Sequence, residues 1–148
     1  MTILVLSVLA VAGFFVWAYS KGQSNKRAFF GKMRYLNQHY GTSFPEDEGG
    51  IDFILSNGST KGSLVFDPSS KKFCFVTGSR QDAEVLDFSY IRQWQLHWTE
   101  RSRDGRLSHV NVYFDFSTND VKRPLIRIGV RNKTHGDQWN SRLSILLG

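Results

Sequence analysis

The chain has 148 residues, enough for one domain with an appendage and too few for two domains flanking a cleft. Hydrophobic residues make up 41% and aromatic residues 14%, a composition that packs a core and excludes disorder. Net charge is +6, only mildly basic, while the single Cys74 excludes an internal disulfide and no Cys/His cluster has zinc-site spacing.

The charge is unevenly spread, and residues 1–20 carry none. As an α-helix, residues 2–19 span ~27 Å, close to the thickness of a bilayer's hydrocarbon core. Leu4, Leu6, Leu9, Phe14 and Phe15 supply the apolar body, and Trp17 and Tyr19 stand where amphipathic rings favour the headgroup level. Lys21, Lys26, Arg27, Lys32 and Arg34 follow, with no acid before Glu46. Cations on one flank and none on the other predict a single-pass anchor, N-terminus out and body in the cytoplasm. The five cations are expected to face anionic headgroups. A cleaved signal peptide is the competing reading. It calls for a basic first segment, which is absent, and small residues before the cleavage point, where Trp17 is bulky. A lone Cys74 agrees with a reducing cytoplasm.

The expected organisation is an anchor over 1–20, a basic linker and amphipathic helix over 21–45, and a β domain over 46–148. Phe29, Met33, Leu36 and Tyr40 recur at helical spacing and predict a helix over 28–40, stopped by Gly41. Glu46, Asp47 and Glu48 read as a solvated acidic turn. Short strands are predicted over 51–56, 62–67, 72–77, 83–88, 90–101, 107–117 and 124–131, separated by turn clusters.

The fifth and sixth strands form the best-determined hairpin. Trp94, Leu96 and Trp98 share one face, as do Val110, Val112, Phe114 and Phe116. Opposing these two faces requires paired residue numbers with an even sum, since a one-residue slip flips every side chain. A two-residue Asp104–Gly105 loop gives an odd sum. The three-residue loop Arg103–Asp104–Gly105 gives an even one, pairs Trp98 with Val110 and Leu96 with Val112, and sets His97 opposite Asn111. In the last strand Ile126, Ile128 and Val130 point in while Arg127 and Arg131 point out. Trp139, Leu143, Leu146 and Leu147 then mark a closing helix, with Thr134 or Asp137 as its cap.

Seven short strands and a closing helix resemble a pleckstrin-homology-like domain. The words Val85-Leu86-Asp87-Phe88-Ser89-Tyr90-Ile91, Asp120-Val121-Lys122-Arg123-Pro124 and Asp137-Gln138-Trp139 with Leu143 carry the resemblance. The chain is similar to poorly characterised bacterial and phage proteins with one N-terminal membrane helix and such a barrel. The resemblance covers 51–148 and implies an α+β, mainly β, seven-stranded antiparallel barrel or sandwich closed by a C-terminal helix. It also implies a bacterial inner-membrane address. Lipid-binding members hold phosphoinositides with cations in the first strand connection; here that connection, 57–62, has only Lys61.

The polar residues Thr99, His97, Asn111, His109 and Asp115 read as the solvent face of the hairpin rather than an acid/base or metal site. Cys74, between Phe73 and Phe75, reads as a core residue, and neither G-x-S-x-G nor a phosphate loop is present. No enzyme, cofactor or metal is expected. Lys122, Arg123, Arg127, Arg131 and Lys133 form a basic patch in the sequence, with Arg142 nearby and Arg101, Arg103 and Arg106 in the hairpin. Nucleic acid is not expected, because the aromatics point inward instead of interleaving with the cations. The resulting expectation is a membrane-anchored binding module that recruits or inhibits a protein partner. Envelope assembly and a phage-type role such as superinfection exclusion are the settings considered. The alternative is an anionic-lipid sensor using the basic patch.

Overall fold

The computed structural model describes residues 25–56, 62–78 and 82–148. The apolar segment over 2–19, its residues Leu4 to Tyr19 and Lys21 lie outside them, as does Lys61. Among the described residues no helix is long and apolar enough to cross a membrane.

Residues 25–40 are helical (α1). Met33 and Leu36 are buried and Phe29 half-buried, but Tyr40 is 52% exposed, so the stripe is shorter than its spacing predicts. The helix ends where Gly41 takes φ +66 and its N–H donates to Asn37 O at 3.0 Å. Where a strand is expected from Ile51, the chain instead makes a 3₁₀ turn over Glu48–Phe53. Asp47 caps that turn by accepting from Gly49 N–H at 2.8 Å, and Gly50 packs so tightly on Pro45 that a Cβ there would clash. Only Ile54–Leu55 (β1) remain extended.

Six further strands follow: Ser63–Asp67 (β2), Lys72–Thr77 (β3), Asp82–Asp87 (β4), Ile91–Arg103 (β5), Arg106–Thr118 (β6) and Leu125–Gly129 (β7). Helix α2, Lys133–Leu147, closes the chain. The fold is α+β, mainly β, with one antiparallel sheet β1-β2-β3-β4 and a second β5-β6-β7; neither closes into a barrel. Between the sheets and α2 lies the main core, built on Leu64, Phe66, Phe73, Phe114, Phe116, Ile128, Trp139 and Leu143. The other face of the first sheet is covered as well. There Val65, Cys74 and Val76 pack with Met33, Leu36 and Phe44, so α1 belongs to the folded body. The layers are therefore α1, the four-stranded sheet, and the three-stranded sheet with α2.

The hairpin corrects one expectation and explains it. Arg103 pairs with Arg106 across a two-residue turn, in which Asp104 and Gly105 have φ +53 and +74. That is the left-handed pair a tight hairpin demands. The odd register holds through Thr99↔Val110, then shifts between His97 and Thr99. Asn111, at φ +51, is the extra residue of a bulge. Beyond it Leu96 pairs with Phe114 and Trp94 with Phe116, so the apolar faces do meet. The even register is thus reached by a bulge instead of a longer loop, and His97 faces Tyr113, not Asn111. Asn tolerates this left-handed backbone and a β-branched residue does not. We expect Asn111→Val to cost about 1–2 kcal/mol and Asn111→Gly to be neutral, read by urea unfolding.

Candidate functional site

Helix α2 begins at Asn132, whose side chain accepts from His135 N–H at 2.8 Å; neither Thr134 nor Asp137 is the cap. Asp137 instead holds Lys133 one turn back at 3.0 Å. Gly136, Trp139 and Leu143 are buried, and a Cβ on Gly136 would stand 2.9 Å from Leu96 Cδ1, so the missing side chain lets α2 settle on β5. Arg142 lies across the Trp139 ring at 5.4 Å and reaches Asp52 at 3.3 Å. This ion pair ties α2 to the 48–53 turn. Ile51 at 63% and Phe53 at 38% exposure flank Asp52 in the chain, and Ile145 at 84% follows Arg142 by three residues on α2. Ile145 sits off the Trp139–Leu143 stripe, on the side of α2 that the core does not use. An apolar residue out of phase with its helix was the available signal for this border, and reading the stripe alone misses it.

The expected basic patch is largely consumed by internal contacts. Arg127 holds Asp115 through two bonds of 2.8 and 3.0 Å and lies 4.2 Å above the Tyr113 ring. Its pKa is raised, chiefly by that hydrogen bond. Arg123 donates to Tyr90 Oη at 3.0 Å and pairs with Glu84 at 2.8 Å, while Tyr90 donates to Asp120 at 3.0 Å. It therefore ties the β6–β7 connection to the edge strand β4. Lys133, besides Asp137, covers Trp98 at 4.5 Å. Lys122 and Arg131 are exposed, and burial, seconded by Arg131 and Arg142, lowers the pKa of His135.

Two of the cations that follow the apolar segment are also met by acids. Lys26 pairs with Glu48 at 2.8 Å and Arg34 with Glu46 at 3.1 Å; the first contact lowers the Glu48 pKa. The acidic turn is thus a partner of α1, not a free loop. Lys26, Arg27, Arg34 and the three acids line a shallow cleft of about 370 Å³. Lys32 lies over Tyr35 at 5.5 Å, and Tyr35 stacks on His39 at 5.9 Å.

The structure does not bring His97 and His109 together. His97 stacks on Tyr113 at 5.1 Å and stands 3.6 Å from Asp115, while His109 faces Glu100 at 3.8 Å and Trp98 at 6.4 Å. Among the described residues no group of three His, Cys, Asp or Glu is placed to hold a metal. Cys74 is fully buried, and burial pushes its thiol up to about 12. It is held as a neutral core side chain. Compared with known families, curated proteins and solved structures, the chain gives no match.

Proposed function

We propose that this chain is a single-pass, membrane-anchored binding module with a pleckstrin-homology-like body, not an enzyme. It engages a protein partner at the cytoplasmic face of a bacterial inner membrane. The observation that carries the reading is the apolar border of Ile51, Phe53 and Ile145 around the Arg142–Asp52 pair. An ion pair neighboured by exposed apolar side chains matches the make-up of protein interfaces. Four strands, three strands and a closing helix, in that chain order, support the pleckstrin-homology-like reading. The uncharged segment 2–19 supports the anchor.

A photo-crosslinker at Ile145, in the full-length chain in native membranes, is expected to give one discrete adduct. Phe53→Glu should lower its yield about tenfold, the effect of charging an interface centre. No adduct, or one indifferent to Phe53→Glu, refutes the border as the docking site. A reporter fused after Gly148 tests the address, and periplasmic activity there overturns it.

A further inference from the structure

The strands β5 and β6 are longer than the core they serve. From Thr99 to His109 every residue is exposed, so the four cross-strand pairs from Glu100↔His109 to Arg103↔Arg106 project as an arm of about 14 Å. The pairing Arg101↔Ser108, Arg103↔Arg106 and Thr99↔Val110 puts Arg101, Arg103 and Arg106 on one face. No ion pair is formed by any of the three among the described residues. This sets them apart from Lys26, Arg34, Arg123, Arg127, Lys133 and Arg142, each of which has an acid. Arg103 and Arg106 are moreover direct cross-strand partners, an arrangement that like charges disfavour. Two arginines stacked here across a cross-strand pair with no acid between them break a local rule, and such breaks mark functional sites. The opposite face ends in Leu107, 62% exposed beside the turn.

We infer that the β5–β6 arm is a contact for the anionic surface of a lipid bilayer. Arg101, Arg103 and Arg106, on one face of the arm, meet phosphate-bearing headgroups. The inference rests on the membrane-anchored reading, which holds the body beside that surface. Guanidinium groups pair with phosphate in a planar, two-pronged geometry. Each cation at an anionic leaflet adds to the attraction, so three act together over roughly two orders of magnitude in affinity. The arm offers no open aromatic platform for a nucleic-acid base, because Trp98 at its root carries Lys133 on its ring.

The test uses the full-length chain in nanodiscs, with a fluorophore on Ser102→Cys and nitroxide-labelled lipid as quencher. Cys74 is buried and protonated, so labelling goes to the new thiol. Quenching is expected in discs with about one-third anionic lipid and not in neutral ones. It should disappear in Arg101→Gln/Arg103→Gln/Arg106→Gln and in ~0.5 M salt. Equal quenching in both lipids, or none in either, overturns the inference. So does retention of a short DNA duplex by the arginines without lipid-dependent quenching. Should the chain fail to enter discs, the anchor reading falls, and the arm is read on added anionic vesicles. Arginine-dependent sedimentation there supports it, and absence of sedimentation overturns it.

Discussion

Asp67→Ala is expected to lower stability by about 3–5 kcal/mol and to loosen α1 from the sheet. Asp67 ends β2 and is 1% exposed. Its carboxylate accepts from Ser43 N–H at 2.7 Å, Ser69 N–H at 3.1 Å, Ser69 Oγ at 2.6 Å, and Ser70 Oγ. One buried charge thus ties the loop after α1 to the β2–β3 turn. The same loop is held by Asn37, which donates to Phe44 O at 2.9 Å and accepts from Phe44 N–H at 2.8 Å. Phe44 packs beneath α1 in the second core. Removing the carboxylate leaves several donors without a charged acceptor, and water reaches them poorly. Hydrogen exchange across 25–40 should accelerate more than across β6. The pH dependence has a fixed sign. Burial works to raise the Asp67 pKa, but the hydrogen bonds from Ser69, Ser70 and Ser43 outweigh it and hold the carboxyl below its ordinary value. Stability from this group is therefore complete above the unfolded carboxyl value and is lost as pH falls through the lower folded one. Urea midpoints of Asp67→Ala and the unaltered chain should lie far apart at neutral pH and converge below about pH 4. A difference under about 1 kcal/mol at neutral pH would show that the turn holds without its acceptor.

The fate of α1 illustrates what the sequence makes legible. Phe29, Met33 and Leu36 announce a helix with an apolar face, and its cover is written elsewhere, in the strands. Leu64-Val65-Phe66 and Phe73-Cys74-Phe75-Val76 are unbroken apolar runs, where a sheet wet on one side would alternate. Val65, Cys74 and Val76 are the residues that α1 buries. By contrast, the hairpin register turned on one residue. Asp104-Gly105 suits both loop lengths considered, and nothing local marks Asn111 as the bulge that restores the apolar pairing. The basic patch was illegible for another reason. Glu84 and Arg123, or Asp52 and Arg142, are far apart in the chain, and pairing at such distance is a property of the fold alone. Counting cations overstated the free charge on the C-terminal strands and understated the arm, whose three arginines find no acid among the described residues.

The largest single loss among core substitutions is expected for Trp139. It is fully buried, its ring centroid lies 5.7 Å from that of Phe66, and it joins α2 to the inner face of the first sheet. Trp139→Ala should cost about 3–5 kcal/mol, a large part of the 5–15 kcal/mol typical of a small domain. The indole Nε1 is buried without a hydrogen-bond partner among the described residues. Trp139→Phe removes that unpaired donor and keeps most of the ring, so its cost should stay below about 1.5 kcal/mol. A Phe substitution as harmful as Ala would mean that the nitrogen is engaged. The pair of variants also separates folding from docking. Arg142 rests on the Trp139 ring and holds Asp52 between Ile51 and Phe53. Trp139→Ala should therefore lower the adduct at Ile145 together with the stability of the fold, and Trp139→Phe should preserve both. Phe53→Glu should leave the thermal midpoint nearly unchanged while the adduct falls. A Phe53→Glu chain that unfolds as readily as Trp139→Ala would place Phe53 in the core and remove the apolar border as a site.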